Sequence, residues 1–271
     1  GLDLVLQAWQ NQSGRLKWEA YTLLLQREEK AVKYALQRYN HWLNMSCTQT
    51  WQQNSAVKSV SITQNGETLV SGNQAGDINV WDMQTKQQKP FSMNHLNVNS
   101  LAITPNGNIL VSRGGDYDRE YIIKVWSLNT GELQHTLEEY AHVVSSLIIS
   151  PDGKTLACGT INNTINVWDL ENRVILRALN GHRYLTQALA ISTDGKTLVS
   201  GSNDKNVKVW EFETGKLTHT FKKHSDGIES VAISPDGQTI VSGSKDKTVN
   251  VWNLRTKKLK FTLEGHTGWV Y

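Results

Sequence analysis

Valine, isoleucine, leucine and threonine gather in short runs near the end of the chain, at residues 230–234, 239–244, 248–254 and 259–263, with turn residues between them. Runs of this length and composition read as β-strands, and four in succession predict one antiparallel four-stranded sheet. Apolar and polar positions do not alternate cleanly along them. A sheet with one wet face would show that alternation, so the pattern predicts a sheet covered on both faces by neighbours of its own kind.

The same arrangement recurs upstream. A tryptophan preceded by valine stands at Trp81, Trp126, Trp168, Trp210 and Trp252, at intervals of 45, 42, 42 and 42 residues. Each follows an Asn-Gly or Asp-Gly pair, beginning at Asn65, Asn106, Asp152, Asp194 and Asp236, by 16 residues in four repeats and by 20 in the second. These dipeptides supply the positive φ of a tight hairpin, so each marks a chain reversal. A period in the low forties with four strands per repeat predicts an all-β propeller over residues 45–271, one four-stranded antiparallel blade per repeat.

These residues resemble the WD-repeat family. Its pattern is carried by Gly181-His182, by Ser234-Pro235-Asp236-Gly237, by the turn residue Asp246 and by Trp252. Trp81-Asp82 and Trp168-Asp169 keep the dipeptide that names the family. The uniform repeat style is similar to bacterial, particularly cyanobacterial, members. The resemblance implies a buried hydrogen-bond chain from the tryptophan through a strand serine and a histidine to the turn aspartate. A buried indole nitrogen can only donate, and it needs an acceptor. The fourth repeat holds the set as His182, Ser200, Asp204 and Trp210, the fifth as His224, Ser242, Asp246 and Trp252. Serine, histidine and aspartate together also suggest a hydrolase. Here the trio recurs beside a tryptophan and has no glycine-flanked nucleophile, which favours a structural use.

The other repeats depart from the set. The first has Gln53 and Ala75 in the histidine and aspartate places, with Gly76-Asp77 as a substitute for the latter. The second keeps His95 and Ser112 but enlarges its turn. The third has Tyr140, Cys158 and Asn162, with His142 two places on. Repeats four and five are therefore expected to be the most stable, each missing hydrogen bond being worth about 1 kcal/mol.

The resemblance also implies where partners bind, because loops entering each inner strand share a face with loops between the second and third strands. The inner-strand starts are Lys58, Asn99, Ser145, Gln187 and Glu229, and the residues before the second turn are Gln74, Ile161, Asn203 and Lys245. Their mixed charge argues against a strongly acidic or basic ligand. In the second repeat the enlarged loop, 113–121, adds Arg113, Asp116, Tyr117, Asp118 and Arg119 to this candidate surface. Enlarged loops carry function more often than regular ones, and arginine with tyrosine suits an interface. Asp116 and Asp118 have the alternate spacing of a calcium loop, but the other ligands and the terminal glutamate are missing, so no metal is expected.

Residues 1–44 differ in composition, with Gly1 and Gly14 as their only glycines, no proline and many helix formers. Val32, Ala35, Leu36 and Tyr39 fall on one helical face, as do Trp18, Tyr21 and Leu25. They predict a short α-helical segment that packs on the propeller or ends an upstream domain. Residues 45–51 align with an outer strand, and 265–270 open a sixth repeat. Since the resemblance implies a ring that usually has seven blades, this strand count predicts an open five-bladed part of one with an unpaired strand at each end, which is an aggregation liability. A closed five-bladed ring is the alternative.

Composition narrows the function classes. The 28 basic and 25 acidic residues leave a net charge of +3, and Lys222-Lys223 and Lys257-Lys258 read as solvated loop positions, not as a nucleic-acid footprint. No apolar stretch approaches the ~18 residues that cross a bilayer. The two cysteines, Cys47 and Cys158, lack metal-ligand spacing, and a reduced, cytoplasmic setting is expected. Phosphate-loop, dinucleotide and HExxH motifs are absent. The expected function is a non-catalytic scaffold for protein or peptide partners, with no cofactor, nucleic acid, membrane or small-molecule substrate. The alternatives are a regulatory module of a larger enzyme of kinase or protease type, with its catalytic domain upstream, and a propeller enzyme.

Overall fold

The computed structural model describes residues 50–91, 93–115, 122–137, 144–160 and 162–271. The chain divides into two units, Gly1–Trp51 and Gln52–Tyr271, and every described strand belongs to the second. The helical segment expected within 1–44 and the strand expected at 45–49 lie outside the described residues, and Thr50 and Trp51 are in no strand.

Among the described residues, twenty strands make five separate four-stranded sheets and there is no helix. The first sheet is β1 (Val57–Ile62), β2 (Thr68–Asn73), β3 (Asp77–Asp82) and β4 (Met93–Asn94). The second is β5 (Val98–Ile103), β6 (Ile109–Gly114), β7 (Ile122–Ser127) and β8 (Leu133–Leu137). The third is β9 (Val144–Ile149), β10 (Thr155–Thr160), β11 (Thr164–Asp169) and β12 (Ile175–Asn180). The fourth is β13 (Thr186–Ile191), β14 (Thr197–Ser202), β15 (Asn206–Glu211) and β16 (Leu217–Lys222). The fifth is β17 (Ile228–Ile233), β18 (Thr239–Ser244), β19 (Val249–Asn253) and β20 (Lys258–Leu263). Each is an antiparallel meander in chain order. Lys222 and Lys258 therefore belong to outer strands, not to loops; both remain exposed.

The first hairpin of every sheet closes by one device. In the third, Ser150 Oγ donates to Asp152 Oδ1 at 2.5 Å, Lys154 N–H donates to the same oxygen at 3.0 Å, and Gly153 N–H reaches Ser150 O at 2.8 Å. Gly153 has φ 74°, a left-handed conformation that a side chain would strain. Asn106 does the same work in the second sheet, its Oδ1 accepting from Thr104 Oγ1 at 2.7 Å and from Asn108 N–H at 3.1 Å.

The core lies between sheets. Val199, Val207, Val209 and Phe221 of the fourth sheet pack against Ile228, Ile240 and Trp252 of the fifth. Ala157, Ile165, Val167 and Leu179 of the third meet Leu189, Leu198, Trp210 and Phe212 of the fourth. Both faces of a middle sheet are thus apolar, which is why the strands show no simple alternation.

A glycine in the second strand makes the close approach possible. A Cβ on Gly201 would lie 2.5 Å from Ile228 Cγ2 and 2.9 Å from Val231 Cγ1. Gly201→Ala is therefore expected to destabilise the protein by about 2 kcal/mol through overpacking. Urea unfolding checks this, and an unchanged midpoint would show that β17 can move away at no cost. The segment after β20 repeats the same contact, with Val270 against Gly243 and Val270 N–H on Ser244 O at 3.1 Å.

Candidate functional site

The candidate partner face begins with a defect in the ladders. At the start of four inner strands the register shifts, between Val57 and Ser59, Val98 and Ser100, Thr186 and Ala188, and Ile228 and Ser230. The extra residues are Lys58, Asn99, Gln187 and Glu229. In the third sheet the shift falls opposite Cys158–Thr160, on the stretch that holds Ser145. A bulge of this kind takes a residue out of the ladder and re-aims its side chain. Turn spacing located these positions in the sequence, but it carried no signal for the bulge.

Contacts link this face from sheet to sheet. Lys245 Nζ lies 3.0 Å from Glu229 Oε1 and 4.8 Å from the centre of the Trp269 ring. Asn203 rests on Gly227, where a Cβ would stand 2.7 Å from its Oδ1. Ser145 Oγ donates to Thr186 O of the neighbouring sheet. Lys58 and Gln74 are exposed, and Asn99 and Gln187 are half-buried.

Arg113 corrects the reading of the enlarged loop. It is a strand residue of β6, 8% exposed, and it pairs with Ile123 as Gly201 pairs with Val207. An arginine thus stands where the other sheets carry Gly72, Gly159, Gly201 and Gly243. Asp116, Tyr117, Asp118, Arg119 and Ile161 lie outside the described residues, as do Tyr140 and His142.

The tryptophan chains differ between sheets. In the fourth, Trp210 Nε1–H donates to Ser200 Oγ at 2.8 Å, Ser200 Oγ is 2.7 Å from His182 Nε2, and His182 Nδ1 is 2.8 Å from Asp204 Oδ2. In the fifth, the same steps through Ser242, His224 and Asp246 measure 2.9, 2.8 and 2.8 Å. Each serine accepts from the indole, so its own proton is free for histidine Nε2, which leaves Nδ1–H to donate to the aspartate. Burial alone would raise the Asp204 pKa. The hydrogen bond from His182, with the N–H groups of Arg183 and Asn206, outweighs it and brings Asp204 to about 2.

The remaining sheets are incomplete. In the first, Trp81 Nε1–H donates to Ser71 Oγ at 2.9 Å, and the Gln53 side-chain amide reaches the same oxygen in the histidine's place. Asp77 does not stand in for the missing turn aspartate; its Oδ2 accepts from Asn73 Nδ2 at 3.0 Å within its own turn. In the second, Trp126 Nε1–H and His95 Nδ1 meet Ser112 Oγ at 2.8 and 2.7 Å. His95 Nε2 has no partner among the described residues. Burial, then the charges of Lys124 and Arg113, push the His95 pKa down to about 4. In the third sheet the serine is Cys158, and Trp168 Nε1–H faces only this thiol, a weak acceptor, with no oxygen or nitrogen acceptor among the described residues. Burial pushes the Cys158 thiol up to about 12. Among the described residues, no group of three His, Cys, Asp or Glu side chains could hold a metal ion.

Comparison with known proteins places these repeats. The family model described as "WD domain, G-beta repeat" matches residues 45–82, 131–169, 173–211 and 215–253. Protein groucho of Drosophila melanogaster is 31% identical over 117 residues, which are 42% of this chain and 16% of that protein. The U3 small nucleolar RNA-associated protein 15 homolog of Gallus gallus is 28% identical over 102 residues, 37% of this chain and 19% of that protein. Autophagy-related protein 16 of Arabidopsis thaliana is 26% identical over 125 residues, 44% of this chain and 24% of that protein. The chain thus spans between 16% and 24% of the length of these relatives. They are animal and plant proteins, and none of them carries the cyanobacterial affinity suggested by the repeat style. The family model covers more than half of the residues, and the chain belongs to the WD40 family of G-beta repeats.

Proposed function

We propose that the chain is a non-catalytic interaction module whose bulged inner-strand residues meet a protein or peptide partner. The bulge repeated at the same step of every sheet carries this reading. It puts side chains of differing chemistry at equivalent places on one face, where their replacement leaves the ladders untouched. A hydrolase reading has no accessible nucleophile, since Ser200 and Ser242 are 0% exposed and each is bonded to an indole and an imidazole. A cytoplasmic setting and a bacterial style rest on composition and repeat uniformity alone.

A second reading, a regulatory module within a larger protein, is favoured by the small share of each relative that the chain spans. The name of the Gallus gallus relative mentions association with RNA. The expectation that this chain binds no nucleic acid is accordingly open to direct measurement.

Peptides selected from a displayed random library on the purified protein test the first reading. Gln187→Ala with Asn203→Ala is expected to weaken a selected peptide about tenfold while leaving the unfolding midpoint unchanged. Undiminished affinity in that variant would remove the face from consideration. Deleting four residues from the loop 115–121 asks whether that loop adds specificity, and unchanged selectivity would show that it does not.

A further inference from the structure

The small net charge conceals an uneven distribution. Residues 173–271 hold fifteen basic and nine acidic residues, whereas residues 53–172 hold seven and twelve. Within the basic half, three cations converge on the outer edge of the fourth sheet. Lys208 pairs with Thr220 across β15 and β16, and Lys222 lies two residues further along β16, opposite Asn206. Side chains two apart on a strand share a face, so Lys208 and Lys222 point the same way. The main-chain N–H of Arg183 donates to Asp204 Oδ2 at 3.0 Å, which holds Arg183 beside the start of β15.

The one carboxylate that acts on Lys208, Asp204, is engaged by other groups. Lys208 is 8% exposed, and its Nζ donates to Thr220 Oγ1 at 3.0 Å. Burial, with the charges of Lys222 and Arg183, pulls the Lys208 pKa below the ordinary lysine value. Asp204 opposes this shift, but its carboxylate is committed to His182 and to the N–H groups of Arg183 and Asn206. Among the described residues, none of the three cations forms an ion pair. Tyr184, adjoining Arg183, is 63% exposed.

The repeat spacing limits the patch to one sheet. One period later, the three positions hold Ser225, Asn250 and Glu264; one period earlier, they hold Ala141, Asn166 and Asn180. A nucleic-acid strand gains affinity from a track of cations following successive phosphates, and this edge offers no continuation on either side. A short run of carboxylates needs no such track.

We infer that the outer edge of the fourth sheet, at Arg183, Lys208 and Lys222, docks an acidic segment of a protein partner. The inference rests on the reading of the chain as a protein-binding module, but it concerns residues other than the bulge positions. Arg183 supplies a guanidinium fork for one carboxylate, and Lys222 is free to meet the next.

A labelled oligoglutamate peptide, titrated by fluorescence anisotropy at low ionic strength, tests it. Arg183→Glu with Lys222→Glu is expected to weaken binding at least about tenfold. Lys257→Glu with Lys258→Glu, the same charge change on another exposed pair, is expected to alter it by less than about twofold. Equal losses in the two variants would show diffuse attraction and overturn the site. So would tighter binding of an oligouridylate RNA of the same length, or no peptide binding by the unaltered protein. Arg183→Gln with Lys222→Gln provides the readout if the reversed variant does not fold. The library-selected peptides keep the two readings apart. If they bind while oligoglutamate does not, the edge site alone fails; if neither binds, the proposed function fails with it.

Discussion

Replacing Trp210 with alanine is expected to remove about 4 kcal/mol of unfolding free energy. The side chain is 1% exposed and sits in the cluster formed with Leu179, Leu189, Leu198 and Phe212. Its loss opens a cavity between two sheets that their own hydrogen-bond ladders hold in place. Its indole N–H also satisfies Ser200, which stays buried without that donor. Urea unfolding with an unchanged slope reads the effect, and a loss under about 1 kcal/mol would show that the sheets close over the gap. Phenylalanine refines the comparison. Trp210→Phe removes a made hydrogen bond to a serine, whereas Trp168→Phe removes only a weak contact with the Cys158 thiol. The first is expected to cost about 1 kcal/mol more than the second. The reverse order would refute the view that the third sheet is the less complete one.

Acidification should act first through His95. Its folded pKa of about 4 lies below the ordinary value of 6.5, so the unfolded chain takes up a proton that the folded protein refuses. The stabilisation is whole above pH 6.5 and is lost as pH falls through the window down to 4. At 1.36 kcal/mol per pKa unit it amounts to about 3 kcal/mol. His135 and His219 are also lowered by burial and act in the same direction. The informative quantity is thus the difference from His95→Gln. Glutamine already fills this place in the first sheet, where Gln53 meets Ser71. The variant should flatten the pH dependence of the urea midpoint between pH 6.5 and 4. An unaltered slope would mean that His95 gains a proton partner on acidification. Asp204 and Asp246, held at about 2, extend the loss below pH 4 with the same sign.

The repeat, the turns and the strand order were legible because each rests on local chemistry. Asn-Gly and Asp-Gly fix the hairpins, and the valine-tryptophan pair fixes the third strand. The complete serine, histidine and aspartate sets of the fourth and fifth repeats were visible through the resemblance to WD repeats. What sequence could not show was tertiary. Arg113 read as a loop residue because it adjoins the insertion, yet strand pairing continues through it to Gly114. Asp77 looked like a displaced turn aspartate, but its Oδ2 accepts from Asn73 Nδ2 within its own turn. The bulges left no trace in composition, since Lys58, Asn99, Ser145, Gln187 and Glu229 share no chemistry. Lys222 and Lys258 looked like loop lysines because a charged end to an outer strand resembles a turn.

That lack of shared chemistry has an evolutionary meaning. A residue outside the hydrogen-bond ladder is released from strand propensity, and a residue outside the core is released from shape. Selection can therefore rewrite positions such as Lys58 and Gln187 one at a time, whereas Ser145 and Glu229 are tied to Thr186 and Lys245. The tryptophan chains and the inter-sheet glycines keep the opposite character, each being tied to a neighbour that must change with it. Within each repeat, robustness and novelty are inherited through different residues, and duplication of a repeat copies both at once.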